Sequence, residues 1–166
     1  LRFDGQDYPR LTPRKAMEIG IACIYQELNL IPQLSVTENI FLGRELYLSE
    51  SVGVLDRRRI RAKVASMMTE LGLSINPDAL ISSLGVGHQQ MVEICRAVCA
   101  DAKLIIMDEP TSSLSEKEAQ DLFRIMAQVK ARGVSVLFIS HRLNEVKNNC
   151  DSVTVLRDGR SITHVQ

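Results

Sequence analysis

The sequence predicts an α/β fold in which a parallel sheet carries helices on both faces and is interrupted by a helical insertion. Two observations carry this expectation. From Lys103 onward, apolar runs of strand length alternate with helical segments, the order a parallel sheet requires because its crossovers are helices. An earlier run, Ile21-Ala22-Cys23-Ile24-Tyr25, has the same buried-strand character, and the stretch between the two is mainly helical. Residues 1–26 and 102–166 are therefore expected to form one unit around the sheet, and residues 27–101 a helical unit.

Each element has its own signal. Leu1-Arg2-Phe3 reads as a strand already under way, turned by Asp4-Gly5 into Gln6-Asp7-Tyr8. With no Met to open it, the chain is expected to have a preceding segment. Thr12 caps a short helix with Pro13 in its first turn, where the missing N–H costs nothing, and Gly20 stops it. Ser35-Val36-Thr37-Glu38 is a capping box that opens a helix ending at Gly43. Arg44 to Leu55 is expected to be a loop. Asp56 caps a longer helix with Ile60, Val64, Met67, Met68 and Leu71 on one face and a stop at Gly72. Leu104 to Met107 is a strand. Ser115 and Glu118 form a second capping box, with Ala119, Leu122, Met126 and Val129 inward and Gly133 at the helix end. Val134 to Ile139 is another apolar strand, and a helix follows near Asn144 to Asn149. Val153 to Leu156, an Asp158-Gly159 turn and Ser161 to Val165 close the chain as a hairpin.

Composition narrows the function classes. Twenty basic residues balance twenty acidic ones, so no overall field favours nucleic acid or an anionic membrane. Arg57, Arg58, Arg59 and Arg61 lie in a helix without interleaved aromatics, the pattern of a solvated face. No apolar run approaches bilayer length, and no basic-then-apolar leader is present. Cys95, Cys99 and His88 share a helix face, but the spacing matches no closed zinc site. The four cysteines, with Cys23 and Cys150, are read as buried or inert thiols.

Chemistry concentrates where the strands end, because ligands of open parallel sheets gather beyond the carboxyl ends of the strands. Gln26, the pair Asp108-Glu109, and His141 all sit at such ends. The first carboxylate of an Asp-Glu pair suits Mg²⁺, held through the metal's water shell. The second suits orientation and polarisation of an attacking water in phosphoryl transfer. Upstream, Leu84-Gly85-Val86-Gly87-His88-Gln89-Gln90 opens a helix. Its bare N–H groups, from Val86 to Gln89, and its dipole favour a phosphate.

In this order and spacing the motifs resemble the ATP-binding subunits of ABC transporters, a P-loop NTPase fold. Gln26 stands at the Q-loop, Leu84 to His88 at the signature motif, and Leu104 to Glu109 at Walker B. Ser112 to Ser115 stand at the D-loop and His141 at the switch histidine. The stretch from Ile24 to Pro32, continuing through Ser35 to Glu45, is similar to the first half of two-part ATPases that energise bacterial uptake of ribose, xylose, galactose and related sugars.

The resemblance implies a head-to-tail pair of ATP-binding units that sandwich two nucleotides. Gln26, Glu109 and His141 would act on ATP held by this unit's own phosphate loop, with Asp108 and Gln26 serving Mg²⁺. Leu84, Gly85, Val86, Gly87 and His88, with Ser113 and Ser115 of the D-loop, would meet nucleotide at the shared interface. The implied partners are a second ATP-binding half or subunit, transmembrane permease subunits met by the helical insertion, and indirectly a periplasmic sugar-binding protein, with no nucleic acid. The implied location is the cytoplasmic face of the inner membrane.

Three departures qualify the match. No Gly-x-x-x-x-Gly-Lys-Ser/Thr occurs within the 166 residues, so the fold is expected to be incomplete and the isolated chain inactive. Gly85 replaces the usual signature serine. Ser115 replaces the usual final aspartate of the D-loop. Two other readings are a non-transport ABC ATPase and an inert dimerising fragment. The short path from Gln26 to Leu84 disfavours repair-type coiled-coil ATPases, and the neutral charge disfavours translation factors. The intact Gln26, Asp108, Glu109 and His141 disfavour a scaffold.

Overall fold

The computed structural model describes residues 1–49 and 53–165. Strands β1 (Arg2–Phe3) and β2 (Gln6–Asp7) pair antiparallel about Asp4-Gly5. Helix α1 (Pro13–Glu18) is capped by Thr12, whose hydroxyl accepts the Lys15 N–H at 3.2 Å. It leads into β3 (Ile21–Ile24). Helix α2 (Val36–Phe41) carries the expected capping box, with Ser35 and Glu38 each satisfying the other's backbone N–H.

The segment expected to be a loop from Arg44 to Leu55 is corrected. It holds β4 (Tyr47–Ser49) and β5 (Val54–Leu55), paired antiparallel, with Gly53 at positive φ leading into β5; residues 50–52 lie outside the described residues. Tyr47 and Val54 have the strand preference such a ribbon needs, but the run is too short to show a period.

Helix α3 (Arg57–Glu70) begins at Asp56, whose side chain accepts the Arg59 N–H. A 3-10 turn at Ile81–Ser83 precedes α4 (Val86–Cys99). Then follow β6 (Leu104–Asp108), α5 (Glu116–Ala131), β7 (Ser135–Ile139), α6 (Leu143–Asn149), β8 (Val153–Arg157) and β9 (Arg160–Val165).

Strands β3, β6 and β7 form one parallel sheet in that order, with Ile24 opposite Met107 and Asp108 opposite Ile139. Register puts Ile24, Ile105, Met107 and Phe138 on one face. There Ile105 and Met107 are fully buried in a core shared with Ile94 and Cys95 of α4, Leu122 and Ile125 of α5, and Val64 and Met68 of α3. Each such side chain contributes about 1.5–3 kcal/mol by leaving water. Phe138 meets Phe123 of α5 edge to face at 5.7 Å. The other face is barer, and Leu137 and Ile139 of β7 are 47% and 44% exposed. Among the described residues, β8 and β9 pair only with each other, and no helix is long and apolar enough to cross a membrane.

One buried polar residue organises the chain before α2. Asn39 is 1% exposed. Its Oδ1 accepts the Ile31 N–H at 2.7 Å, and its Nδ2 donates to the carbonyls of Ile31 at 3.0 Å and Ser35 at 3.0 Å. Asn39→Ala strands these groups at about 1–3 kcal/mol each. The substitution is expected to lower the urea midpoint clearly, whereas a surface change such as Arg58→Ala is expected to leave it in place.

Candidate active site

The carboxyl end of the sheet gathers four of the residues singled out from sequence. Asp108 is the last residue of β6, and Glu109 follows it at φ +46, a left-handed conformation rare outside glycine. The Glu109 N–H still donates to the Ile139 carbonyl at 3.0 Å, so the ladder runs one residue past the strand before the chain turns away. Strain of this kind persists only where the surroundings dictate it. Beyond β7, His141 places Nδ1 3.1 Å from Glu109 Oε1. The Glu109 side chain is one-third exposed and the His141 ring mostly exposed, so the pair is open to a solvent-borne ligand. Because Ile24 lies level with Met107, Gln26 leaves β3 at this same end.

Glu145 in the first turn of α6 is a residue that sequence reasoning missed. Its Oε2 accepts from the Thr111 hydroxyl at 2.8 Å and the Ser140 hydroxyl at 3.3 Å, while Oε1 accepts from Arg142 Nη1 at 3.1 Å. One carboxylate thus ties the loop that carries Glu109 to the loop that carries His141. No local signal distinguishes it from an ordinary acid near a helix start.

The glycine-rich start of α4 is a separate site; among the described residues no hydrogen bond joins Leu84–His88 to Glu109 or His141. Gly85 is the N-cap at φ −65, and a Cβ built there meets nothing within 4 Å. The expectation that every N–H from Val86 to Gln89 points outward is corrected. The Gln89 N–H donates to the Gly85 carbonyl at 3.0 Å, because the helix has already closed its first turn.

Gly87 packs so closely on the Glu118 carboxylate that a Cβ would collide with it. Glu118 is held below the ordinary carboxylate range by the Ser115 hydroxyl, then by the Ser115 N–H, and to a lesser degree by the Gly87 N–H and His88. The Ser115 hydroxyl donates to Glu118 at 2.6 Å, so it is already committed to capping α5, while Ser113 is exposed.

On the far side of α4, Glu93 is 7% exposed and its Oε1 accepts the Asn29 N–H at 2.8 Å. Burial pushes its carboxyl up, against the opposing pull of the Asn29 N–H and Arg96, and Oε2 is buried without a partner. A cleft of about 330 Å³ opens beside it, lined among others by Cys23, Tyr25, Asn29, Arg44, Glu93 and Arg96. Cys23 is exposed rather than buried, yet partial desolvation pushes its thiol up, in keeping with the reading of the cysteines as buried or inert. Burial pushes Cys95 up to about 12 and Cys99 up to about 11, so neither is a ready thiolate.

The sequence pattern of the ABC transporter family matches residues 1–112. The arabinose import ATP-binding protein AraG of Rhizobium meliloti is 42% identical over 164 residues, 99% of this chain and 32% of that protein. The ribose import ATP-binding protein RbsA of Bacillus licheniformis is 42% identical over 162 residues, 98% of this chain and 32% of that protein. The chain therefore spans about a third of the length of these curated relatives. A crystal structure of a nucleotide-free ATP-binding cassette from an ABC transporter superposes with a TM-score of 0.82 at 27% identity, covering 98% of this chain and 67% of that one.

Proposed function

The chain belongs to the ABC transporter family, and on that premise we propose that it forms part of an ATP-binding subunit that hydrolyses ATP to drive sugar uptake across the bacterial inner membrane. The observation that carries this reading is the Glu109–His141 pair at the carboxyl end of parallel strands, with Asp108 beside it and Gln26 at the same edge. The names of the relatives support a sugar as cargo.

In this reading residues 1–26 and 102–166 make the catalytic unit, and residues 27–101 the helical unit that meets the permease. The cleft beside Tyr25 and Arg44 supports docking at that boundary. The phosphate loop that the reading requires lies outside these residues, since no Gly-Lys pair occurs among them. The protein is peripheral, at the cytoplasmic face.

Each site residue has a role that follows from its chemistry. Asp108, half-buried and acceptor-only when ionised, fits the water shell of Mg²⁺, with Gln26 as a neutral second acceptor. Mg²⁺ when bound neutralises phosphate charge. Glu109 orients and polarises the attacking water, and His141, within hydrogen-bond reach of Glu109, holds that carboxylate and faces the γ-phosphate. Leu84 to His88, with Ser113 and Ser115 nearby, face the nucleotide of a second ATP-binding half. The test is reconstitution of the complete ATPase with its permease in vesicles. ATP-dependent uptake of a pentose or hexose is the expected result; hydrolysis that moves no sugar would favour a non-transport ATPase.

Gly85 gives a sharper test of the shared interface. Its φ is negative and its surroundings are open, so serine fits without strain. A serine hydroxyl would add a charge-assisted bond to the γ-phosphate of about 1.5–3 kcal/mol. Gly85→Ser is expected to tighten ATP-driven closure of the two halves about tenfold or more, by the same arithmetic. If closure stays at the wild-type level in a well-folded variant, the start of α4 does not grip the γ-phosphate.

A further inference from the structure

We propose that Glu93 and Arg96 are positioning residues that clamp the Gln26 loop to α4, so that the loop and the helix starting at Gly85 shift as one body. What the loop and helix do in turnover rests on the functional reading above; the clamp itself rests on contacts. Asn29 lies in the loop that Gln26 begins. Its N–H donates to Glu93 Oε1 at 2.8 Å and its carbonyl accepts from Arg96 Nη1 at 3.1 Å. Glu93 and Arg96 are one turn apart on α4, so a single helix face offers an acceptor and then a donor to one residue's backbone.

Both contacts are to main chain, so the grip does not depend on the Asn29 side chain. A carboxylate as deeply buried as Glu93 costs stability unless it is hydrogen-bonded, and a pure packing role would be served by an apolar side chain. The rest of the geometry transmits movement in the same direction. Ile94 and Cys95, between the two clamp residues, are fully buried, so α4 moves as a rod with its N-terminus. The far end of the loop is held by Asn39 of α2 through the Ile31 N–H and carbonyl. The Gln26 loop is thus tied at two points to the helical elements. A ligand that draws Gln26 toward the sheet edge therefore pulls on α4 and its glycine-rich start.

The experiment uses the complete ATPase reconstituted with its permease in vesicles. It measures hydrogen exchange over residues 27–31 together with sugar moved per ATP hydrolysed. Glu93→Ala is expected to speed exchange of the Asn29 amide about tenfold or more. It is also expected to lower sugar moved per ATP severalfold. Glu93→Gln keeps the acceptor oxygen and is expected to restore both readings; Asn29→Ala is expected to match wild type in both. Arg96→Ala removes the carbonyl half of the clamp without emptying a buried position, and covers a Glu93→Ala protein that does not fold.

Unchanged exchange in Glu93→Ala and Arg96→Ala overturns the clamp. Faster exchange with an unchanged sugar-to-ATP ratio overturns its role in coupling, and failure of Glu93→Gln to rescue overturns its hydrogen-bond basis. If the wild-type assembly hydrolyses no ATP, it is the functional reading that fails, and the exchange comparison still decides whether the clamp exists.

Discussion

Glu109→Gln in the complete ATPase is expected to keep ATP binding and lose hydrolysis by about 10²- to 10⁴-fold, the usual cost of removing a positioned general base. The amide has the carboxylate's shape, so the left-handed backbone at φ +46 and the N–H bond to Ile139 should both survive. What goes is the negative charge that polarises water and the acceptor for its proton. The contact with His141 also changes, because an amide oxygen accepts more weakly than a carboxylate. Nucleotide titration and single-turnover hydrolysis separate the two effects. A variant that binds ATP normally and turns over at the wild-type rate would remove Glu109 from the chemistry and with it the reading of the Glu109–His141 pair.

A preparation of these 166 residues alone is expected to show no measurable ATP turnover and at most weak nucleotide binding. No Gly-Lys pair exists in the sequence to cradle the β- and γ-phosphates with backbone N–H groups and a lysine. The β7 strand, with Leu137 and Ile139 half exposed and β6 as its partner among the described residues, offers an unpaired apolar edge. Edges of this kind recruit other chains, so concentration-dependent association should accompany the loss of binding. Micromolar Mg-ATP affinity by calorimetry on a monodisperse sample would contradict both parts.

Features set by neighbours in the chain were legible in the sequence. Both capping boxes, the Asp56 cap, the glycine stops at Gly72 and Gly133 and the three sheet strands depend on residues a few positions apart, and each formed as expected. The proximity of Glu109 and His141 was legible too, because parallel strands of similar length end at one edge. Features that depend on distant partners were not. Glu145 meets Thr111 across 34 positions and Glu93 meets Asn29 across 64, and nothing in the local pattern of either carboxylate announces its partner. The β4–β5 ribbon escaped notice because two or three residues are too few to show alternation. The commitment of the Gln89 N–H to Gly85 follows from where the helix closes its first turn, which a run of glycine and polar residues leaves open.

The packing of Gly87 against Glu118 couples the start of α4 to the start of α5. A side chain at position 87 collides with the carboxylate while Glu118 remains in place, and losing the Glu118 side chain removes its bond to the Ser115 N–H while the Ser115 hydroxyl still accepts the backbone N–H of residue 118. The fit of one helix start therefore depends on the side chain that helps to cap the other. An aspartate at position 115 would set a second carboxylate beside Glu118 in place of the hydroxyl that donates to it at 2.6 Å, so it is expected to push Glu118 out of the position that Gly87 packs against.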